Sequence, residues 1–471
     1  MNYAIVENED VTAFEESQLS LIKDYSSWKN PKNFETLNVD KVDYFVHQIN
    51  NEFKKINLLD KTFDKQNHQQ LITSYFKNKF ENEIAAHKKT KNTFKFIDLF
   101  CGAGGLSIGL EQEGLAADLA LDKDKSSLLT YHFNRPYLND EQIINDDIRY
   151  VTKEFEFEKT PLVVGGPPCQ GFSNANKQRQ EDDKRNQLYK FYLHTVELSS
   201  PEIFLLENVE GILKHEKQIR EDFAKINYTL FTYRLNTKDF GFPQNRKRVF
   251  ILGIKNKHEK ISLELKSLFD LTINSAKNKH NFSLWDAIFD LPELSAKTKR
   301  NASYAEKKEW GFTFGNFVKH SSNYANFINS KKNLSVPVLN HKSKYNNDRD
   351  IEIYGLLKPG EGANAESIAA INPYLNRGGI FKDKFFKLRP NQPSKTITAH
   401  MYYDCHMYIH PFIARGLTPR EAARIQGFPD DYFFLGSPNE WYRQVGNAVS
   451  PTLGRVLGKA LNKMLNRIYE Y

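Results

Sequence analysis

The chain has 471 residues, too many for one hydrophobic core, so its length predicts two or three domains. No apolar run among its 40% hydrophobic residues reaches the length of a membrane span, and its 3 cysteines form no CxxC pair, which excludes a disulfide scaffold and a cysteine-rich zinc site. The net charge of +8 is compatible with a polyanionic partner and equally with a mildly basic enzyme.

The first 92 residues are polar, rich in Lys, Asn and Phe, and carry no catalytic motif. Apolar residues recur at three- and four-residue spacing over 42–56 and again over 71–84, which predicts two amphipathic helices. The first ten residues lack the basic start and apolar stretch of a secretory signal, so with the unpaired cysteines they favour a reducing cytosol. We predict a helical extension, ended by a linker at 88–92 and not needed for sequence specificity.

A predicted strand at 94–100 leads into a glycine turn at 101–106 that opens a helix. This order is typical of the nucleotide-cofactor corner of a doubly wound α/β sheet, although a lone glycine turn can also serve packing alone. Ser107 stands where the dinucleotide fingerprint needs glycine, which disfavours NAD. Asp122 ends the second predicted strand, where an acid suits a ribose diol, and Asp147 follows the third.

A single cysteine, Cys169, follows the next buried strand on a loop of two glycines and two prolines. Pro168 fixes its own φ and restricts Pro167, so the loop that presents the thiol is stiff. A thiol in this position is placed like a nucleophile, although a buried structural cysteine is the commoner use of the residue. The polar stretch 174–185 beyond it predicts a mobile loop beside the nucleophile.

Charged groups are also expected at two further points on the same edge of the sheet. Glu207 ends an apolar strand and should therefore lie on the edge that carries Cys169. Gln244, Arg246 and Arg248 alternate at the entry to another strand, so they should point to one side. Such a group suits a planar or phosphorylated ligand, and a solvated charged edge is the alternative.

From 255 to 387 the alternation of strands and helices disappears. Asparagine, lysine, arginine and aromatic residues are interleaved without a catalytic pattern, which favours a surface that reads nucleic acid. Residues 340–342 and 346–349 are examples of side chains suited to reading base edges.

The last part of the chain returns to helices with clear boundaries. Thr418 is predicted to cap a helix with Glu421 as its capping-box partner, and Gly427 should end it. An apolar-periodic helix over 453–468 is predicted to pack back on the first sheet.

In this order the motifs resemble those of the cytosine-5 DNA methyltransferases, over about residues 94–465. The blocks that carry the resemblance are 96–105, 166–170, 207–209, 244–248 and 444–447. The resemblance implies a doubly wound, mostly parallel, Rossmann-like sheet of the S-adenosylmethionine-dependent type with a smaller, irregular target-recognition domain. The expected segments are the extension 1–92, the first part of the catalytic domain 93–254, the recognition domain 255–411 and a return to the catalytic domain 412–471.

The resemblance also implies a cofactor, S-adenosylmethionine, and no metal. The residues it places around that cofactor are Phe100, Gly102 and Gly104 in the pocket wall, Asp122 at the ribose, Asp147 and Ile148 at the adenine, and Pro168 and Asn447 at the methionine end. The residues it places at the base are Cys169 as nucleophile, Glu207 as the acid, and Arg246 and Arg248 beside a flipped-out cytosine. Lys123 departs from the apolar residue that the family more often has over the adenine.

The implied partner is double-stranded DNA with a specific target sequence, in a bacterial cytoplasm and away from membranes. A cognate restriction endonuclease in the same system is a further implied partner, without a stable protein complex. Two alternatives stay open, because one branch of the same family methylates tRNA with the same residues and because an inactive homologue could still bind nucleic acid.

Overall fold

The computed structural model describes residues 65–89, 93–168, 188–298, 317–319, 322–329, 335–374 and 384–470. The helix predicted over 42–56, the predicted nucleophile Cys169 and the loop predicted at 174–185 therefore lie outside the described residues. Among the described helices, none is long and apolar enough to cross a membrane.

A mostly parallel sheet lies at the centre of the fold. The strands of this region are β1 (Lys95–Leu99), β2 (Ala116–Leu121), β3 (Ile143–Ile144), β4 (Leu162–Gly165), β5 (Ile203–Asn208), β6 (Tyr228–Asn236), β7 (Gln244–Asn245) and β8 (Lys247–Lys255). The short β7 lies outside the central sheet. The other seven pair in the order β3-β2-β1-β4-β5-β8-β6. Strands β1 to β5 are parallel, and β8 runs antiparallel to both β5 and β6. The predicted fold class is confirmed.

Helices cover both faces of this sheet, which explains why its central strands are apolar on both sides. The helices from the first described residue to the end of the sheet region are α1 (Lys65–Lys89), α2 (Gly105–Gln112), α3 (Lys125–Phe133), α4 (Ile148–Glu154), α5 (Leu188–Ser199), α6 (Glu216–Lys225) and α7 (Glu259–Ala276). Alternation along β1 sends Phe96 into the core on one face, and Ile97 and Leu99 into the core on the other.

The elements that follow the sheet region are α8 (Leu284–Ile288), β9 (Phe317–Lys319), α9 (Asn323–Ile328), β10 (Ser335–Pro337), α10 (Asp348–Leu356), β11 (Ser394–Lys395), α11 (Pro419–Gln426) and α12 (Pro438–Asn447). Helices α8, α9, α11 and α12 contribute to a second hydrophobic core, whereas Ile353 and Tyr354 of α10 belong to a separate cluster. Strand β11 pairs in parallel with β7, which attaches this region to the edge of the sheet. The predicted capping box of α11 is confirmed, since Thr418 and Glu421 bind each other's backbone and Gly427 ends the helix at φ 95°.

The last helix, α13 (Pro451–Glu470), packs against α2 and α7, as the sequence predicted for the chain's return to the sheet. The first helix of the segment expected to form the recognition domain, α7, behaves differently from its surroundings. Ile261, Leu265 and Phe269 of α7 belong to the same core as α13 and the sheet. The contacts of α7 therefore join it to the sheet, although the sequence placed the start of the second domain at residue 255.

Several residues expected to read bases have a structural use instead. Asn340 is buried and its side-chain amide donates to the carbonyl oxygen of Phe434 at 2.9 Å. His341 is buried against Thr418, with Nδ1 and the hydroxyl 2.8 Å apart, and Asn346 donates to a buried tyrosine hydroxyl at 3.0 Å. The expectation of base reading is wrong for these three, because local composition does not reveal which polar groups are already paired inside the fold.

Candidate active site

A crevice lies at the carboxyl ends of the parallel strands. From β1 the chain moves outward to β2 and β3 on one side, and later to β4 and β5 on the other, so the topological switch point lies between β1 and β4. A cavity of about 590 Å³ opens there. Ten predicted site residues line it: Phe100, Gly102, Asp122, Asp147, Ile148, Pro168, Glu207, Arg246, Arg248 and Asn447. A Cβ added at Gly104 would instead meet Arg135 and Tyr131.

The turn after β1 has an unusual backbone. Phe100 has φ 56°, in the left-handed region that a bulky residue rarely adopts, and Gly102 follows at φ 52°. The Cys101 amide donates to the carbonyl oxygen of Leu121 at 3.1 Å, which ties the turn to the end of β2. Such a strained residue persists only where its surroundings hold it, and here it places the Phe100 side chain in the wall of the crevice.

Asp122 is fixed between the ends of two strands. One of its carboxylate oxygens accepts the Gly102 amide and the other accepts the Asp124 amide, both at 2.8 Å. Burial raises the pKa of Asp122, and these two hydrogen bonds act in the opposite direction. The carboxylate is thus held rigidly at the crevice wall, and each oxygen has a further lone pair that can accept a hydroxyl group.

Asp147 is bound by its own helix. Its side chain caps α4 by accepting the Arg149 amide at 3.1 Å, and the Arg149 guanidinium donates to its two oxygens at 2.9 and 2.8 Å. Burial acts to raise the pKa of Asp147, but the hydrogen bonds and charge of Arg149 outweigh it and lower that pKa. The carboxylate is therefore an anion next to Ile148 in the wall of the crevice.

The loop before Cys169 is held by the neighbouring strand end. The Asn208 side chain donates to the carbonyl oxygen of Pro167 at 3.0 Å. A Cβ added at Gly166 would lie 2.8 Å from a carboxylate oxygen of Glu207, so glycine leaves the room that this acid needs. Asn208 and Pro167 are 41 residues apart in the sequence. Their hydrogen bond therefore joins the Gly-Pro-Pro motif to the Glu-Asn-Val motif.

Glu207 and Arg248 form an ion pair inside the crevice. The Arg248 Nε lies 2.9 Å from one carboxylate oxygen, and the glutamate side chain is only 13% exposed. Burial raises the pKa of Glu207, against the opposing charges of Arg248 and Arg246. A carboxyl group with a raised pKa beside a cavity is able to hold a proton and donate it.

Arg246 is turned toward the protein backbone. It is buried, and its guanidinium donates to the carbonyl oxygens of Ile397 at 2.6 Å, Gly446 at 3.2 Å and Ala448 at 2.8 Å. Within the described part of the chain, its Nε is without a hydrogen-bond partner. Gln244 is likewise engaged, accepting the Ile397 amide at 2.8 Å. These two residues join the sheet edge to the second core, so only Arg248 of the alternating set forms its ion pair inside the crevice.

Asp98 is a crevice residue that sequence reasoning missed. It lies within β1, is buried, lines the cavity and accepts a hydrogen bond from Ser107. Burial raises the pKa of Asp98 to about 7, although the hydrogen bond from Ser107 opposes the change. An acid among the buried apolar residues of this strand was the signal that could have identified it. In the residues that the structure describes, no group of His, Cys, Asp and Glu side chains could hold a metal ion.

The sheet order and a crevice at its switch point define the Rossmann-like fold of S-adenosylmethionine-dependent methyltransferases. A crystal structure of a prophage-encoded E. coli protein assigned as a DNA modification methyltransferase superposes with a TM-score of 0.59, at 25% identity, covering 79% of this chain and 100% of the other.

Residues 94–463 match the family of C-5 cytosine-specific DNA methylases, and the chain belongs to that family. The Type II methyltransferase M.AgeI of Thalassovita gelatinovora is 32% identical over 421 residues, which cover 77% of this chain and 98% of that relative. The Type II methyltransferase M.DdeI of Desulfomicrobium norvegicum is 31% identical over 387 residues, which cover 77% and 86%.

Proposed function

We propose that this chain methylates carbon 5 of cytosine within a specific double-stranded DNA sequence, using S-adenosylmethionine and a transient bond between Cys169 and carbon 6. The single observation that carries this proposal is the Glu207–Arg248 pair at the switch-point crevice, where burial raises the pKa of the carboxyl. Cys169 follows the crevice residue Pro168 directly in the sequence.

The crevice residues fit the proposed cofactor chemically. A ribose diol needs a fixed acceptor, and the Asp122 carboxylate is held by two backbone amides with lone pairs to spare. An adenine needs apolar contact and polar groups at its rim, which Phe100, Ile148 and Asp147 can provide. The volume of about 590 Å³ lies in the usual range of small-molecule sites.

At the other end of the crevice, Pro168 and Asn447 would meet the methionine part, and the turn through Gly102 and Gly104 would lie along it. Bound S-adenosylmethionine supplies an electrophilic methyl group.

The proposed reaction needs a thiolate that attacks the cytosine ring and an acid that donates a proton to it. Carbon 5 of cytosine is a poor nucleophile until the Cys169 thiolate adds to carbon 6 while Glu207 gives a proton to N3. The ring then has an enamine whose carbon 5 can take the methyl group. Loss of the carbon 5 proton to a base and return of the N3 proton break the carbon–sulfur bond and restore the aromatic ring.

Arg248 would hold Glu207 in place during this cycle and, as a cation, would favour the thiolate over the thiol. Carbon 6 and N3 cannot be reached within stacked, paired DNA. The target cytosine must therefore turn out of the duplex into the crevice.

The relatives named as Type II methyltransferases suggest the setting. We propose that the chain is the modification enzyme of a bacterial restriction-modification system, acting in the cytoplasm on the site that a cognate endonuclease cuts. Recognition of that site would come from the segment between β8 and β11. Asn340, His341 and Asn346 would take no part in it, because they are paired inside the fold.

Transfer of tritium from labelled S-adenosylmethionine to duplex DNA, single-stranded DNA and tRNA tests this function. The expected result is incorporation into duplex DNA, mapped by bisulfite sequencing to cytosines within one recurring sequence. Cys169→Ser should abolish incorporation and leave affinity for S-adenosylhomocysteine close to that of wild type. Transfer to tRNA alone, or a Cys169→Ser activity within roughly tenfold of wild type, would contradict the proposal.

A further inference from the structure

The helix α1 is docked on the catalytic part of the chain through aromatic side chains. Phe76 and Phe80 are fully buried. The ring centroids of Phe76 and Phe80 lie 5.3 and 5.1 Å from that of Phe133 at the end of α3, and Phe76 is 6.0 Å from Phe433. Burial of such side chains stabilises a contact by roughly 1.5–3 kcal/mol each, so this helix is an integral part of the fold.

A buried cation on the same face of α1 binds the loop at 429–435. Lys79 donates from Nζ to the carbonyl oxygen of Asp431 at 2.9 Å, and its ammonium lies 3.4 Å from the Asp431 carboxylate and 3.7 Å from Glu83. Burial acts to lower the pKa of Lys79, but the two acids outweigh it and raise that pKa. The ammonium thus stays charged, and it fixes the backbone of this loop as well as its side chain.

The same loop reaches the glycine turn of the crevice. Tyr432 lies between Asp431 and Phe433, the two residues of this loop that contact α1. Its hydroxyl donates to the carbonyl oxygen of Ala103 at 2.5 Å. Arg135 donates to that hydroxyl at 3.1 Å and to the carbonyl oxygen of Gly104 at 3.2 Å. Arg135 is itself buried and held by Glu111 at 2.9 Å.

These contacts decide how the turn presents its backbone. A Cβ at Gly104 would lie 2.6 Å from a guanidinium nitrogen of Arg135, so the guanidinium is packed directly under the turn. In a trans peptide the carbonyl and the following amide point in opposite directions. With the Gly104 carbonyl bound to Arg135, the Gly105 amide points away from that guanidinium, and Gly105 lines the crevice.

We propose that α1 is a positioning element of the cofactor site. It acts through Asp431, Tyr432 and Phe433 on the turn at Ala103–Gly104, and so raises the affinity for S-adenosylmethionine without entering the crevice. This inference rests on the proposed function, because it takes the crevice to be the cofactor site. The residues Lys79, Phe76 and Tyr432 are positioning residues, and none of them belongs to the predicted base-binding set.

The test uses the full chain with Lys79→Met and the matched control Lys77→Met, two residues away on the exposed face of α1. Calorimetry gives the Kd for S-adenosylhomocysteine, and methyl transfer gives separate KM values for cofactor and DNA. Lys79→Met should raise the Kd and the cofactor KM roughly five- to tenfold, with kcat and the DNA KM unchanged. Lys77→Met should change none of these.

An unchanged Kd in a Lys79→Met variant with a lowered Tm would overturn the inference, since α1 would then only stabilise the fold. Equal losses of cofactor and DNA affinity would overturn it as well. Should Lys79→Met fail to fold, the milder Phe76→Leu variant is judged by the same criteria. If the wild type itself does not bind S-adenosylhomocysteine, the proposed function fails instead.

Discussion

Two glutamates in this protein each pair with an arginine in the interior, yet their surroundings drive their pKa values in opposite directions. Burial acts to raise the pKa of Glu421, but the charge and hydrogen bonds of Arg415 outweigh it and lower that pKa far below its usual range. Two bonds of 2.8 and 2.7 Å come from Arg415, and the Thr418 amide adds a third at 2.7 Å. The carboxylate of Glu421 is thereby held as an anion.

Among the described residues, Glu207 has a single ion-pair contact, at 2.9 Å from the Nε of Arg248, and burial prevails and raises its pKa. The difference indicates that the number of donors aimed at a buried carboxylate, more than the presence of an arginine, sets the direction in which its pKa moves. Glu421 belongs to a helix cap that holds the second core together. Glu207 borders the cavity, where the proposed function gives it a proton to donate.

The comparison predicts first that Glu207→Gln separates activity from stability. Gln cannot supply the proton to N3, so kcat should fall by roughly 10²- to 10⁴-fold. Burial raises the pKa of Glu207, so a neutral amide should be tolerated in its place and the free energy of unfolding should change by less than about 1 kcal/mol. Single-turnover methyl transfer and urea unfolding measure the two quantities. A stable variant with wild-type kcat would remove Glu207 from the reaction.

Glu421→Gln should show the reverse pattern. It leaves the buried Arg415 without its anion, so the free energy of unfolding should fall by roughly 3–5 kcal/mol. Methyl transfer per folded molecule should stay close to wild type. Glu440→Gln is the matched control, because Glu440 is the capping-box partner of Ser437 in α12 but lies nearer the surface. Equal losses of stability in the two variants would contradict the account.

Asp122→Ala tests a third buried carboxylate, fixed by two backbone amides rather than by arginine. Loss of its hydrogen bonds to the ribose should weaken binding of S-adenosylhomocysteine by about 1–3 kcal/mol. Calorimetry measures the change, and Asp118→Ala, on the strand β2 that ends just before Asp122, is the control. An unchanged Kd would mean that the ribose lies elsewhere.

The sequence predicted the features that depend on neighbours along the chain. Strand ends with Asp122, Glu207 and the glycine turn lie at one edge because parallel strands end together, and Thr418 caps its helix through residues three positions away. Family resemblance supplied the roles of these residues, and the fold class it implied is confirmed.

Features that depend on partners far away in sequence could not be predicted. Arg246 binds carbonyl oxygens that lie 151 to 202 residues further on, and Asn340 binds a carbonyl oxygen 94 residues further on. Nothing next to these residues in the sequence distinguishes a polar group paired in the interior from one that faces a ligand. The contact of Lys79 with Asp431 spans 352 residues and was equally hidden.

The pH dependence of unfolding tests the contrast between the two glutamates most directly. For Glu207, whose folded-state pKa is raised, the free-energy difference between wild type and Glu207→Gln should fall as pH rises above about 4.3, the ordinary value. For Glu421, whose folded-state pKa is lowered, the corresponding difference should stay level above about pH 4.3 and shrink only below it. Urea unfolding of the three proteins across this range gives both slopes. A level difference for Glu207→Gln above that pH would show that its carboxyl is already ionised and would contradict the account.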